Sequence, residues 1–293
     1  MPDRETIRLL FLGDIVGRPG RRAVCALLPK VKEEFGVDVV IANGENAAGG
    51  LGITPQIAGK LFSYGVDCLT SGNHLWVRRE IEEYLQECNR LLRPANYPPD
   101  VPGRGWTLLK TPKGEVGVVC LLGRVFLSTV DCPFRVLDSI LEEIKEFTNV
   151  VIVDFHAEAT AEKKAFGFYT AGRLSAVVGT HTHVATTDAQ ILQGGTGYIT
   201  DVGMCGVFDS VIGMNKEVSI KRFLMQMPLR YECAKDGDVR INAVVIDIDC
   251  NTGRALGIEW IERRLEDGGV SEGWDNTGEG TGEADKGKDS QGC

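Results

Sequence analysis

IRLLFLGDIVGRPGRRAVCALLPKVKEEFGVDVVIANGEN, residues 7–46, decides the fold class. An apolar run from Ile7 ends at Gly13-Asp14. An amphipathic stretch follows from about Arg21 to Phe35, and a second apolar run starts at Val37 and ends at Asn43. Short, continuous apolar runs closed by turn residues predict strands covered on both faces, here separated by a helix.

Outward from this unit, strand-like runs recur from Asp67, Val116, Asn149, Ser175, Ala189, Gly197 and Ile241. Helix-like stretches cover Thr54 to Tyr64, Trp76 to Cys88, Phe134 to Phe147, Ala161 to Tyr169 and Lys216 to Met225. LLKTPKGEVGVVC, residues 108–120, reads as a hairpin. The order is βαβα first and β-rich later, which predicts a layered α/β sandwich of mixed sheets. One domain is expected over residues 1–265, with a small excursion over the core at 203–238. From Gly268 onward Gly, Glu, Asp, Ser and Thr dominate, so 266–293 is expected to be a disordered acidic tail.

The formal charge of −9 is concentrated in that tail, which holds eight acids against two lysines and leaves a nearly neutral body. No long basic stripe is present, so a long nucleic-acid footprint is not expected; a small nucleotide or an RNA end stays open as partner. Nine cysteines include no C-x-x-C pair and read as buried thiols of a reducing compartment, with Cys205 in GMCG the one beside a candidate site strand. No stretch reaches the roughly 18 apolar residues of a membrane span, and no long apolar leader is seen, so a cytoplasmic protein without a membrane partner is expected. A homo-oligomer is compatible with the sequence.

Only four histidines occur, His74, His156, His181 and His183, and each lies at or just after the end of a strand-like run: TSGNH, VIVDFH and VVGTHTH. Strand ends are where open α/β sheets bind ligands. One such histidine is ordinarily structural; four of four are not explained by packing. Asp14 ends FLGD, Glu45 and Asn46 stand in NGEN, and Asn73 precedes His74. Imidazole and carboxylate donors suit Zn, Fe or Mn. Seven candidate ligands (Asp14, Glu45, Asn46, Asn73, His156, His181, His183) exceed one tetrahedral ion and suit two ions sharing a carboxylate, with Glu45 as the bridge. Two ions about 4 Å apart can clamp a phosphoryl group and generate a hydroxide nucleophile near neutral pH. If the chain is extended, His181 and His183 share a face, whereas Asn73 and His74 point apart. That frees His74 to protonate a leaving oxygen or to stabilise the transition state. Two divalent ions, two carboxylates and a bridging hydroxide leave a single positive charge, which matches a phosphodiester better than a dianionic monoester.

GDIVGRPGR, NGENAAGGLGIT, SGNH, DFHAEATAEK and GTHTHVATTDAQIL followed by GTGYITDVGM together resemble the YmdB-like branch of the calcineurin-like metallophosphoesterases, from about Arg8 to Leu265. The resemblance implies an α/β/β/α metallophosphoesterase-like sandwich of two mixed sheets flanked by helices. It also implies a phosphodiesterase acting on 2′,3′-cyclic nucleotides or related diesters, with a di-iron or di-manganese centre. By it, Asp14, Glu45, Asn46 and His183 match the ligands of one metal, and Glu45, Asn73, His156 and His181 those of the other. His74 matches the catalytic histidine. The wider superfamily pattern opens D-x-H, carries a second G-D and has an acid after G-N-H; here Ile15 and Val16 follow Asp14, NGEN replaces G-D, and Leu75 follows His74.

Arg18, Arg21, Arg22, Lys163 and Lys164 are candidate phosphate contacts, against a plainer reading as a solvated face. Asp154 and Glu158 bracket His156 as groups that could orient a ligand. Tyr198 and Asp201 are expected on a strand beside the site. Two other functions fit the same residues: an amidohydrolase using His-x-His, and a non-catalytic metal-binding regulator acting in RNA metabolism.

Overall fold

The computed structural model describes residues 5–266. The elements are β1 (Thr6–Leu12), β2 (Asp14–Ile15), α1 (Gly17–Phe35), β3 (Val39–Asn43), α2 (Pro55–Ser63), β4 (Cys68–Thr70), α3 (Ile81–Glu87), β5 (Trp106–Thr111), β6 (Gly114–Leu122), α4 (Pro133–Ile144), β7 (Val151–His156), α5 (Thr160–Thr170), β8 (Ala176–Thr180), β9 (Gln190–Leu192), β10 (Thr196–Ile199), β11 (Met204–Val207), α6 (Lys216–Met225), β12 (Val239–Asp249) and β13 (Ala255–Arg264). Helix starts follow local chemistry. Thr54 caps α2 through its hydroxyl with Pro55 in the first turn, and the Asn215 side chain caps α6.

Two mixed sheets stack face to face. The first runs β2-β11-β12-β1-β3-β4, with β13 on the other edge of β12; the second runs β5-β6-β7-β8-β10-β9. β1, β3 and β4 are parallel, as are β6, β7, β8 and β10, while β12 and the β5–β6 hairpin supply antiparallel pairings. β1 shows why the early strands read as continuous apolar runs. Ile7, Leu9 and Phe11 enter the core between the sheets, and Leu10 and Leu12 the core under α1 and α2. All five are fully buried, each contributing about 1.5–3 kcal/mol. A third core joins the second sheet to α4 and α5. The outcome is α/β/β/α, a metallophosphoesterase-like sandwich of two mixed sheets flanked by helices.

Several elements differ from the sequence expectation. The helix expected over Trp76 to Cys88 is broken into a 3-10 turn at Leu75–Val77 and α3, with an extended residue, Arg78, between them. β11 and β13 have no counterpart in the sequence pattern. β13, ALGIEWIERR, mixes charged with apolar residues because much of it is only partly buried. Within 203–238, Met204–Val207 is built into the first sheet and residues beyond it carry α6. The tail expected from 266 lies, past Glu266, outside the described residues. No helix among the described residues is long and apolar enough to cross a membrane.

The turn from β1 into β2 runs backbone against backbone. A Cβ on Gly13 would lie 2.1 Å from the Gly203 carbonyl oxygen, and Asp14 N–H donates to that oxygen at 3.1 Å. Gly13→Ala is therefore expected to lower the unfolding free energy by about 1–3 kcal/mol, read from urea denaturation of the metal-free protein.

Candidate metal centre

All eight residues singled out from the sequence meet at the C-terminal ends of the two sheets. Asp14 lies in β2, Glu45 and Asn46 follow β3, Asn73 and His74 follow β4, His156 ends β7, and His181 and His183 follow β8. Asp14, Glu45 and His156 are completely buried, and Asn46 and His183 nearly so.

Each of three histidines has its outer ring nitrogen facing an acceptor. The carbonyl of Ile212 lies 2.8 Å from His183 Nδ1, so that nitrogen carries the proton. Glu158 Oε2 lies 2.9 Å from His181 Nε2. Thr180 Oγ1 donates to Asp154 at 2.7 Å and so accepts from His156 Nδ1 at 2.9 Å. In the neutral imidazoles the inner nitrogens are thereby the lone-pair positions, the arrangement by which second partners prepare imidazoles for a metal. Around His156 Nε2 stand His181 Nδ1 at 3.0 Å, Glu45 Oε1 at 3.0 Å and Asn73 Oδ1 at 3.1 Å. Donor atoms of Glu45, His156 and His181 all fall within 4.8 Å of one another.

A second group adjoins the first. Asp14 Oδ1 is buried with no hydrogen-bond partner, 3.8 Å from His183 Nε2. The Asn46 amide lies 3.1 Å from His183 Nε2 and 3.4 Å from Glu45 Oε1, which puts Glu45 between the two groups. An orphaned buried carboxylate oxygen is costly, and one proton cannot satisfy three acceptors converging on a single nitrogen. The donor set therefore fits divalent metal. A Cβ on Gly72 would meet His156 Nε2 at 2.4 Å and Glu45 Oε2 at 2.5 Å, so the cradle admits only glycine there.

In the metal-free chain the charges compensate one another. Burial would raise the Glu45 carboxyl, but the charge and hydrogen bond of His156 bring it down to about 2. Burial would lower His156, but Glu45 and then Asp14 raise it to about 9. Burial and the charge of His156 push His181 down to about 3. Burial raises Asp14 against the pull of His183 and His156, and it lowers His74 against Glu45.

The loop geometry corrects two expectations. His181 and His183 are not on an extended chain: their φ values are 103° and 64°, in the left-handed region. Nor do Asn73 and His74 point apart. Their side chains meet at 3.3 Å, His74 has φ −94° and ψ 1°, and its N–H donates to Glu45 Oε2 at 2.9 Å. Left-handed backbone costs roughly 1–3 kcal/mol per residue, and a buried pair holds it. Lys163 donates to the Thr180 carbonyl and to Asp201 Oδ2, both at 2.7 Å, and Asp201 accepts the N–H of Thr182 at 3.1 Å. The peptides on both sides of His181 are thus clamped. Lys163 is a positioning residue and not a phosphate contact, as its 2 % exposure requires. Arg21 is likewise buried and donates to the Ala47 carbonyl in the loop carrying Glu45 and Asn46. Lys164 pairs with Asp188 at 2.8 Å. Asn43, which sequence reasoning passed over, donates to Asp154 at 3.0 Å beneath His156; its only signal was its place at the strand end. Cys205 is buried and its thiol is pushed up to about 12 by burial, so it is no nucleophile.

Lys163→Met leaves Asp201 buried and uncompensated, and is expected to cost about 3–5 kcal/mol of stability. Lys164→Met, at a half-exposed pair, should cost under about 1 kcal/mol; urea denaturation of the metal-free proteins distinguishes the two. A metal must also displace the proton that His156 holds below its raised pKa of about 9. Affinity for Mn²⁺ is therefore expected to rise with pH between 6 and about 9, with proton release at pH 7 detected by titration in buffers of different ionisation enthalpy.

Residues 10–261 match the family described as YmdB-like protein. The 2′,3′-cyclic-nucleotide 2′-phosphodiesterase of Bacillus subtilis (strain 168) is 48% identical over 255 residues, covering 87% of this chain and 96% of the relative. A crystal structure of a hypothetical protein from Thermus thermophilus superposes with TM-score 0.83 at 42% identity, covering 89% of this chain and 100% of that one. A structure described as a novel phosphatase from Mycoplasma pneumoniae also gives TM-score 0.83, at 34% identity, covering 88% and 94%. With the family match spanning most of the chain and a relative at 48% identity, this protein belongs to the YmdB-like family.

Proposed function

We propose that this chain is a dinuclear metal-dependent phosphodiesterase acting on 2′,3′-cyclic nucleotides or closely related small nucleotide diesters. The observation that carries the proposal is the pair of adjoining donor groups with Glu45 between them: Asn73, His156 and His181 on one side, Asp14, Asn46 and His183 on the other. Each group would hold one transition-metal ion, with Fe or Mn preferred and Zn compatible. When bound, such ions supply Lewis-acid charge to a phosphoryl group and lower the pKa of water. The cyclic-nucleotide substrate is supported by the activity named for the 48% identical relative.

The chain's own residues have separable tasks. Glu45 accepts from the His74 backbone and faces His156, so it ties the β4 loop to β7. Asp154, through Thr180, keeps one His156 proton on Nδ1, so that Nε2 is the nitrogen that gives up its proton and turns a lone pair inward. Glu158 and the Ile212 carbonyl do the same for His181 and His183. His74 is only partly buried and is not needed in either donor group. It is the residue assigned to protonate or hydrogen-bond the leaving oxygen.

Elemental analysis should find about two transition-metal ions per chain. Glu45→Gln should lose metal together with turnover of adenosine 2′,3′-cyclic phosphate. His74→Ala should keep its metal and lose about 10²–10⁴-fold in kcat. A folded wild type that takes up no metal on reconstitution, or a loaded one that cleaves no phosphodiester, would reject the proposal.

A further inference from the structure

Among the described residues five non-glycines have φ in the left-handed region: Phe126, His181, His183, Ile212 and Gln226. Four have a reason. His181 and His183 present the inner nitrogens of the centre, Ile212 turns its carbonyl to His183, and Gln226 caps α6 with its N–H on Arg222. Phe126, at φ 63°, ends no helix, and the residue is 88% exposed. A bulky residue in this conformation is strained, and an exposed phenyl ring gains nothing from burial.

The loop is nevertheless held in place. Gly123 N–H donates to the His156 carbonyl at 2.9 Å. The Glu162 carboxylate accepts the next two N–H groups, of Arg124 at 2.9 Å and Val125 at 3.3 Å. The Asn96 side chain clasps both ends: it accepts from the N–H of Leu122 at 2.9 Å and donates to the carbonyls of Leu122 and Asp131 at 2.7 and 3.0 Å. The ring of Tyr97, next in the chain to Asn96, meets Trp76 edge-on with centroids 5.7 Å apart, two residues beyond His74. The loop thus starts on the backbone of His156, is clasped by Asn96 beside the Tyr97 that packs on the turn carrying His74, and displays one aromatic ring to solvent. Three residue steps, at most about 11 Å of chain, lead from Gly123 to Phe126.

We propose that Phe126 is the nucleobase platform of the site, its ring stacking on the base of a nucleotide whose phosphate lies among Asp14, Glu45 and His156. The substrate class rests on the nucleotide reading given under Proposed function. Stacking uses the π-face that every base presents, so this contact distinguishes nucleotides from base-free diesters more than one base from another. A loop backbone fixed beforehand in a costly conformation loses little freedom when the base arrives.

The test compares the full chain loaded with manganese as wild type, Phe126→Ala and Phe126→Trp. One readout is the ratio of kcat/KM for adenosine 2′,3′-cyclic phosphate to that for methyl riboside 2′,3′-cyclic phosphate, which has no base. The other is calorimetric affinity for adenosine 3′-monophosphate and for inorganic phosphate. Phe126→Ala is expected to lower the ratio about tenfold, through KM, and to weaken the monophosphate about tenfold relative to phosphate, while Phe126→Trp keeps both. A ratio and a relative affinity within twofold of wild type in Phe126→Ala would overturn the platform, as would equal loss on both diesters, the mark of a purely structural loop. If wild type cleaves neither diester, the phosphodiesterase reading fails by itself, and the calorimetric comparison still decides the platform: selective loss of the adenosine ligand supports it, equal affinity overturns it.

Discussion

Four acceptors crowd around one point at the sheet ends. His156 Nε2 faces a carboxylate oxygen, an amide oxygen and a second imidazole nitrogen, all within 3.1 Å, and a fully buried Asp14 oxygen nearby has no partner. Lone pairs so placed repel one another in a medium of low dielectric. Protonating His156 relieves part of the repulsion in the metal-free chain, and a multivalent cation would relieve all of it. The outer partners of the histidines, the glycine cradle and the left-handed loop after β8 can each be understood as ways of holding this unfavourable set together before a ligand arrives.

The stability of the fold is directed to the same end. Apolar strands covered on both faces form three cores that rigidly place the strand ends of two sheets against each other. Charged residues that would ordinarily face water are buried where they hold loops: Lys163 with Asp201 behind His181, Arg21 behind the Glu45 loop. A buried ion pair contributes little net stability, so these are better understood as fixing backbone direction at a site that needs it. Glu162 and Asn96 fix the loop of Phe126 in the same manner, with carboxylate and amide groups bound to backbone.

Much of this was legible in the sequence. β1, α1 and β3 follow from residues 7–46 because burial on both faces forces unbroken apolar runs. α6 was legible over its full length because Asn215 caps it. β13 was missed since ALGIEWIERR, exposed along much of one face, carries no strong period. The break at Arg78 was missed because that residue's guanidinium donates to the Ala48 carbonyl at 3.2 Å, a contact between residues 30 apart.

The sequence by itself determined the chemistry: four histidines, a carboxylate pair and two asparagines at the ends of strand-like runs, types that hold metals because of their donor atoms, whatever the fold. Only the tertiary structure decided how those donors are oriented. Which nitrogen of His156, His181 and His183 faces inward depends on Thr180, Glu158 and Ile212 in turn. That Lys163 is a buried clamp and Arg21 a loop anchor depends on where two sheets bring distant carbonyls. Donor identity is a property of single residues; orientation arises from hydrogen bonds between residues far apart in the chain, which local pattern does not encode.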